Sequence, residues 1–283
     1  MRSGWTMSSM PCIPQGDESD GLSVSARIFD LVHGSTEDGP GLRTVVFLGG
    51  CPLRCAWCHN PELQEERASL RGGKPQGPPR LGDRWTAQGV ADQILRDVPF
   101  YVASSGGVTM SGGEPMLHMP FLRAVSERVR KAGVHFAVDT CGEFDYRTYI
   151  RWLRGHVDLF LYDVKLIDDA LHRRFTGRSN VRILDNLARL WKDKVCLEVR
   201  VPLIPGFTAT RDNLRSIADF LHELGIPDAT FLPYNPSVLD KWQSLGSEPP
   251  SPLPAQPMSL DELAEWRTFF GSCLNKEARP TRE

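Results

Sequence analysis

The 283-residue sequence has no stretch approaching the roughly 18–20 unbroken apolar residues that a bilayer span requires, and residues 1–26 lack the basic-then-apolar order of a signal peptide. A membrane role is therefore not expected, and the expected compartment is the cytoplasm. Charge excess of either sign is also missing: 33 Lys and Arg stand against 35 Asp and Glu, a formal net charge of -2. Without a basic run, nothing draws the chain to nucleic acid or anionic lipid independently of specific contacts, and no nucleic-acid partner is expected. Cysteine is scarce, at seven residues, and the isolated positions of Cys12, Cys141, Cys196 and Cys273 argue against a secreted disulfide framework. Residues 59–140 contain no cysteine at all.

Apolar material is not lacking, and 41% of the residues can supply one sizeable α/β core. Residues 1–25, rich in Ser, Gly, Pro and Met without apolar periodicity, read as a flexible leader, so the domain is expected over 26–283 with structure beginning near Arg27. Six nearly continuous apolar runs read as strands covered on both faces: 43–48, 107–113, 134–140, 157–165, 195–204 and 229–234. Helical periodicity falls between them at 86–98, 118–132, 145–154, 181–192 and 210–224, and once more near 259–274. Six β/α units with right-handed crossovers predict a parallel sheet curled into a partial (β/α)6 barrel, followed by a C-terminal helix. Gly/Pro-rich loops at 66–84 and 246–257 interrupt the order. In such a fold, functional side chains belong at the C-terminal ends of the strands.

Three of the seven cysteines crowd into GCPLRCAWCHN (50–60), immediately after the first expected strand. Thiolates spaced as Cys-x3-Cys-x2-Cys on one loop suit a soft metal centre. A closed zinc site normally wants four ligands, and His59, adjoining Cys58, is poorly placed to be the fourth. Three ligands suit a 4Fe-4S cluster with one open iron; zinc and unliganded thiols are the alternatives.

The longer stretch DGPGLRTVVFLGGCPLRCAWCHNPE (38–62) resembles the signature of the glycyl radical enzyme activating enzymes, the pyruvate formate-lyase activating enzyme group of the radical S-adenosylmethionine superfamily. SGGEP (111–115), DTCG (139–142), LYDVK (161–165) and VPLIPGF (201–207) follow in that family's order, and the likeness runs from about Ile28 to Trp242. The resemblance implies one 4Fe-4S cluster on Cys51, Cys55 and Cys58, with S-adenosylmethionine chelating the open iron. It implies a cofactor surround of Trp57, His59, Asn60, Gly112, Gly113, Glu114, Asp139, Thr140, Asp163, Val164, Lys165, Arg200 and Asn235.

Within that set, Trp57 would lie near the adenine, and Gly112, Gly113 and Glu114 near the methionine amino group. Lys165 would meet the ribose or carboxylate, and Arg200 the carboxylate. Asp139, Thr140 and Asp163 are candidates for a monovalent cation beside that carboxylate. Asp38 is either a contact for an incoming protein loop or a turn residue, Trp57 either an adenine contact or loop packing, and Asp163 with Lys165 either ligand groups or an internal salt bridge. Cys141 reads as packing, and His33, His118 and His172 as structural.

Asn235 stands where some relatives carry a histidine against the adenosine. The cysteine-free interval 59–140 leaves no place for the auxiliary cluster many relatives hold there.

The implied activity is reductive cleavage of S-adenosylmethionine and removal of hydrogen from a glycine of a partner glycyl radical enzyme. A flavodoxin or ferredoxin would supply the electron under anaerobic conditions. Two alternatives remain: a radical enzyme acting on a small molecule or a different peptide, and a non-catalytic zinc-stabilised barrel.

Overall fold

A computed structural model describes residues 23–64 and 82–275. Most of the expected leader and of the 66–84 loop lies outside the described residues. Eight strands form one sheet: β1 (Ser25–Ser35), β2 (Arg43–Leu48), β3 (Arg84–Thr86), β4 (Gly107–Gly112), β5 (His135–Thr140), β6 (Leu159–Asp163), β7 (Leu197–Leu203) and β8 (Thr230–Pro233). Their order is β3-β1-β2-β4-β5-β6-β7-β8. β2 and β4 through β8 pair in parallel, in unbroken succession, and are the six expected strands. They make the partial barrel.

The helices are α1 (Ala87–Ile94), α2 (Val98–Ser104), α3 (Met119–Lys131), α4 (Tyr146–Trp152), α5 (Asp169–Thr176), α6 (Val181–Lys192), α7 (Arg211–Leu224), α8 (Ser237–Ser244) and α9 (Leu260–Leu274). Short polar side chains start several of them by accepting the orphan N–H groups of the first turn. Thr86, Asp145, Asp168 and Thr210 do so for α1, α4, α5 and α7, and Ser259 with Glu262 forms a reciprocal capping pair at α9.

Alternation along the strands sends one set of side chains outward to the helices and the other into the barrel. Val108, Met110, Phe136, Val138, Phe160, Tyr162, Val199 and Val201 join helix residues such as Leu122, Leu187 and Ile217 in the main core. The inward set has a small apolar patch of Ala137, Leu159 and Leu161. Toward the strand C-termini that face becomes polar.

Four departures from the sequence reading have local causes. The expected helix 86–98 is two helices, because Pro99 lacks an N–H and its ring suits the first turn of a new helix. β1 is an additional antiparallel strand, half exposed, so it never shows a continuous apolar run. Arg84, placed in a loop by the sequence, begins β3 and pairs with Arg27. α5 and α8 were not expected: α5 buries only His172 and Thr176, and α8 only Val238, too little for an apolar period to register. Among the described residues no helix is long and apolar enough to cross a membrane.

Candidate functional site

The polar end of the barrel interior carries a chain of charges spread over three strands, with a serine from a fourth. Ser111 Oγ donates to Asp139 Oδ2 at 2.8 Å, and Arg200 Nη2 donates to Asp139 Oδ1 at 2.5 Å. The same guanidinium lies with Nε 3.3 Å from Asp163 Oδ1, while Lys165 Nζ donates to Asp163 Oδ2 at 2.8 Å. Register explains the meeting, since Asp163 pairs with Arg200 across β6 and β7. Burial pushes the Asp139 carboxyl up, with Arg200 opposing. Asp163 is held below its usual range because Lys165 and Arg200 overcome the effect of burial; despite burial, Asp163 keeps Lys165 above its usual range, and Asp139 with Asp163 does the same for Arg200. Two carboxylates and two cations thus balance in a water-poor site, as buried charge requires.

The cysteine loop lies over this chain. Arg54 N donates to Thr176 O at 2.7 Å and Ala56 N to Phe175 O at 2.9 Å, tying the loop to the end of α5. On the other side, Glu114 N donates to Gly50 O at 2.7 Å. That approach explains the glycine pair: a Cβ on Gly113 would lie 2.1 Å from Gly50 O, and one on Gly112 would lie 2.4 Å from Leu48 N and O. Gly112 also sits at φ +114°, where side chains are strained. Gly113 is therefore required by the cysteine loop's own backbone, and Gly112 by the end of β2 that leads into it.

Cys51, Cys55 and Cys58 are free thiols packed in one cluster with Leu53, Ala56, Trp57, Cys141 and Tyr234. Burial pushes the Cys55 and Cys58 thiols up, whereas a hydrogen bond from Cys141 brings Cys51 down. Trp57 is 4% exposed and packs edge-on to Phe207 at 5.6 Å and obliquely to Phe175 at 6.4 Å. Loop packing accounts for its burial.

The other sequence-selected residues divide. Asn60 meets Lys241 Nζ through Oδ1 at 2.5 Å, and Lys241 also lies 3.6 Å from Glu62, so α8 is clasped onto the cysteine loop. His59 is exposed beside it. Glu114 is fully buried; its carboxylate accepts from Met116 N, Thr140 Oγ1 and Cys141 N at 2.8–3.0 Å, and burial raises its pKa to about 7. The Thr140 side chain turns to Glu114 and does not join Asp139 and Asp163. Val164 packs outward into the main core while its N–H donates to Arg200 O at 2.9 Å. Asn235 is exposed and accepts Ser237 N at 3.0 Å, capping the approach to α8. Asp38 accepts Ser35 Oγ at 2.5 Å, and its carbonyl accepts Thr109 Oγ1 at 2.6 Å.

Several contributors were not singled out by sequence. Asn213 Nδ2 donates to Lys165 O at 3.0 Å and Asn186 Nδ2 to Gly142 O at 2.9 Å, fixing the strand-end loops. Each asparagine stands among buried apolar residues of its helix, and that misplaced polarity is a legible signal. Fully buried Arg43 donates to Thr109 Oγ1 at 2.7 Å and to Pro40 O at 2.9 Å, pinning the DGPG loop. Trp242, against the cysteine cluster, carries no such signal.

The donor set fits a cuboidal iron-sulfur group better than a single ion. Thiolates are its usual ligands. Among the described residues no three His, Cys, Asp or Glu side chains converge on one point, as a mononuclear zinc site needs. Gln64 Nε2 and Trp242 Nε1 are buried without a hydrogen-bond partner, and Trp242 packs against the cluster that holds the thiols.

Comparisons with known proteins agree. A family described as "4Fe-4S single cluster domain" matches residues 37–184. A pyruvate formate-lyase-activating enzyme of Staphylococcus aureus (strain USA300) is 36% identical over 217 residues, covering 75% of this chain and 82% of that one. Among solved structures, Streptococcus suis SuiB bound to S-adenosylmethionine superposes with TM-score 0.54 at 14% identity, over 77% of this chain and 44% of SuiB. Escherichia coli QueE gives 0.50 at 14% identity, over 83% of this chain and 97% of QueE. These two likenesses carry the fold.

Proposed function

The chain belongs to the pyruvate formate-lyase-activating enzymes, the radical S-adenosylmethionine activators of glycyl radical enzymes, and from that membership we propose how its barrel mouth performs the activation. Its cofactors are a 4Fe-4S cluster and S-adenosylmethionine, and its protein partner is a glycyl radical enzyme. The single observation that carries the reading is the Cys51–Cys55–Cys58 loop at the end of a barrel strand in a chain 36% identical to such an activator.

In this proposal Cys51, Cys55 and Cys58 hold the cluster. When bound, the cluster and S-adenosylmethionine supply one-electron cleavage of the sulfonium and a carbon radical able to take hydrogen from a glycine Cα. The side chains of this chain bind, orient and exclude water. Lys165 and Arg200 offer N–H donors to the cofactor's ribose and carboxylate. Asp139 and Asp163 hold those cations in register before the cofactor arrives, which limits the reorganisation needed on binding. A monovalent cation, if taken up, would compete for these same carboxylates. Trp57, Phe175 and Phe207 close one wall against water, and Lys241 on α8 closes another through Asn60. No side chain is needed as a general base.

The electron donor in this proposal is a flavodoxin or ferredoxin. Support comes from an open hollow of about 650 Å³ lined by Arg173, Arg178 and Arg182 together with Glu143 and Asp185, in which Arg173 and Arg182 pair with Asp169 and Glu143, and whose rim joins the cysteine loop where Arg178 Nε donates to Pro52 O at 3.3 Å. Exposed guanidinium groups so close to the thiols suit an acidic partner. An anoxic cytoplasm is the proposed setting, because cluster thiolates oxidise readily.

The test is anaerobic incubation of the reconstituted, reduced protein with S-adenosylmethionine and pyruvate formate-lyase or another glycyl radical enzyme. The expected result is a glycyl signal in electron paramagnetic resonance together with 5'-deoxyadenosine. Cofactor cleavage with no glycyl signal on any candidate would instead favour a small-molecule or other peptide substrate.

A further inference from the structure

Strand register decides which side chains share the inner wall of the barrel, because residues paired across neighbouring strands point to the same side of the sheet. Leu161 belongs to the inward apolar patch, and its partners are Asp139 on β5 and Glu198 on β7. The next row toward the mouth is Asp163, Arg200 and Thr230. Glu198 therefore faces inward, and its chain neighbours Leu197 and Val199 pack outward against the main core. Of the acidic residues in these two rows, Glu198 is the one that the charge chain leaves out.

The cations of the interior are engaged elsewhere. Arg200, two residues along the same face, gives Nη2 to Asp139 and Nε to Asp163, and Lys165 Nζ is held by Asp163. Arg43, deeper in the barrel, donates to Thr109 Oγ1, Pro40 O and Val108 O. Among the described residues no hydrogen bond or ion pair reaches the half-buried Glu198 carboxylate.

The inner wall can be approached where the sheet ends. β8 is the last strand of the order, and on it Thr230, the partner of Arg200, is exposed and Leu232 is half-buried. Toward the other end, Val32 on β1 pairs with Val45 in the row of Thr109 and Ala137, so it faces inward, and it is 41% exposed. Phe47, paired with Ser111 on the same face, is half-buried. A segment entering from the open side meets apolar flanks and a carboxylate that has no counter-ion.

We propose that Glu198 selects the protein substrate by pairing with a basic side chain, lysine or arginine, carried within about three residues of the glycine that loses its hydrogen. The inference rests on the reading in which the partner is a glycyl radical enzyme. Glu198 lies two residues below Arg200 on its strand, about 7 Å by strand rise, and an extended segment with its glycine level with Arg200 covers that depth in two residues. A long side chain brings the third position within reach. Partial burial strengthens an ion pair relative to one in open water, and the same carboxylate repels a segment that brings its own acid, so attraction and repulsion both act on the choice. Glu198 touches no reacting atom and acts through binding.

The test uses the full chain, reconstituted anaerobically but not reduced, with S-adenosylmethionine present. The probes are fluorescently labelled, blocked peptides that share a central glycine and differ only in carrying lysine, norleucine or glutamate at the second and third positions on either side of it. Anisotropy titration should show wild type binding the lysine peptide about fivefold more tightly than the norleucine peptide, and the glutamate peptide more weakly still. In Glu198→Gln the affinities should converge, and in Glu198→Lys their order should reverse, with iron and sulfide assays reporting assembly of each variant. Equal affinities in wild type, absence of binding included, would overturn the proposal without needing any variant to fold, as would a lysine preference undiminished in cluster-loaded Glu198→Gln. Reduction in the presence of full-length pyruvate formate-lyase reports separately: cofactor cleavage without a glycyl signal would overturn the underlying reading, so the two failures are distinguishable.

Discussion

Arg200, on β7, reaches past β6 to Asp139 on β5, with Nη2 2.5 Å from Oδ1, and holds Asp163 with the same guanidinium. One side chain therefore ties together three strand ends inside the barrel. Replacing it with glutamine leaves two buried carboxylates facing Lys165 alone. Arg200→Gln should destabilise the fold by about 3–5 kcal/mol, the usual cost of stranding a buried charge. Asp139→Asn in the same chain should recover part of the loss. Urea unfolding of the single and double variants measures the coupling, and strict additivity would show that the pair does not interact.

Lys165→Met keeps most of the stem and removes the charge that meets Asp163 at 2.8 Å. A lost charge-assisted bond of about 1.5–3 kcal/mol lowers affinity by roughly one to two powers of ten. Iron and sulfide should stay at wild-type levels while calorimetric titration shows weaker S-adenosylmethionine binding. Unchanged affinity would mean that Lys165 serves the internal salt bridge and nothing else.

Cys51→Ala, Cys55→Ala and Cys58→Ala should each abolish cluster assembly and S-adenosylmethionine cleavage. Cys196→Ala, at an exposed site, and Cys273→Ala, in the main core away from the mouth, should leave iron content unchanged. Retention of a full cluster with turnover in Cys55→Ala would sink the assignment.

Glu114 gives a pH dependence with a definite sign. Burial raises its pKa from 4.5 to about 7. Its contribution to stability is therefore fully present below about 4.5 and is lost as pH rises through about 7, a change of roughly 3 kcal/mol. Glu114→Gln keeps the volume and does not titrate, so the stability difference between wild type and variant should shift against wild type from about pH 5 to about pH 8. Urea midpoints of the apo chains across that range check it. A difference independent of pH would show that Glu114 stays ionised throughout.

Legibility followed burial. Strands such as Arg43–Leu48 were bounded correctly because both faces are covered and every residue has to be apolar or partnered. β1, α5 and α8 were missed because each buries only a few side chains and leaves little periodic trace. The strand-end charges at Asp139, Asp163, Lys165 and Arg200 stood out in sequence, since buried charge is costly unless it is used or paired. Their pairing did not, because Arg200 meets Asp139 only through a register spanning three strands.

The linear order of residues by itself determined the six parallel units, the position of the cysteine trio after a strand, and the family. Periodicity, turn chemistry and a motif confined to neighbouring positions are local properties, and they survive in one dimension. Tertiary structure alone decided which groups share a surface. It spent Gly112 on the end of β2 and Gly113 on the backbone of the cysteine loop, turned Glu114 inward to Thr140 and Cys141, and clasped Lys241 onto Asn60. Those contacts depend on strand register and on the return path of loops, which follow from packing the whole chain at once.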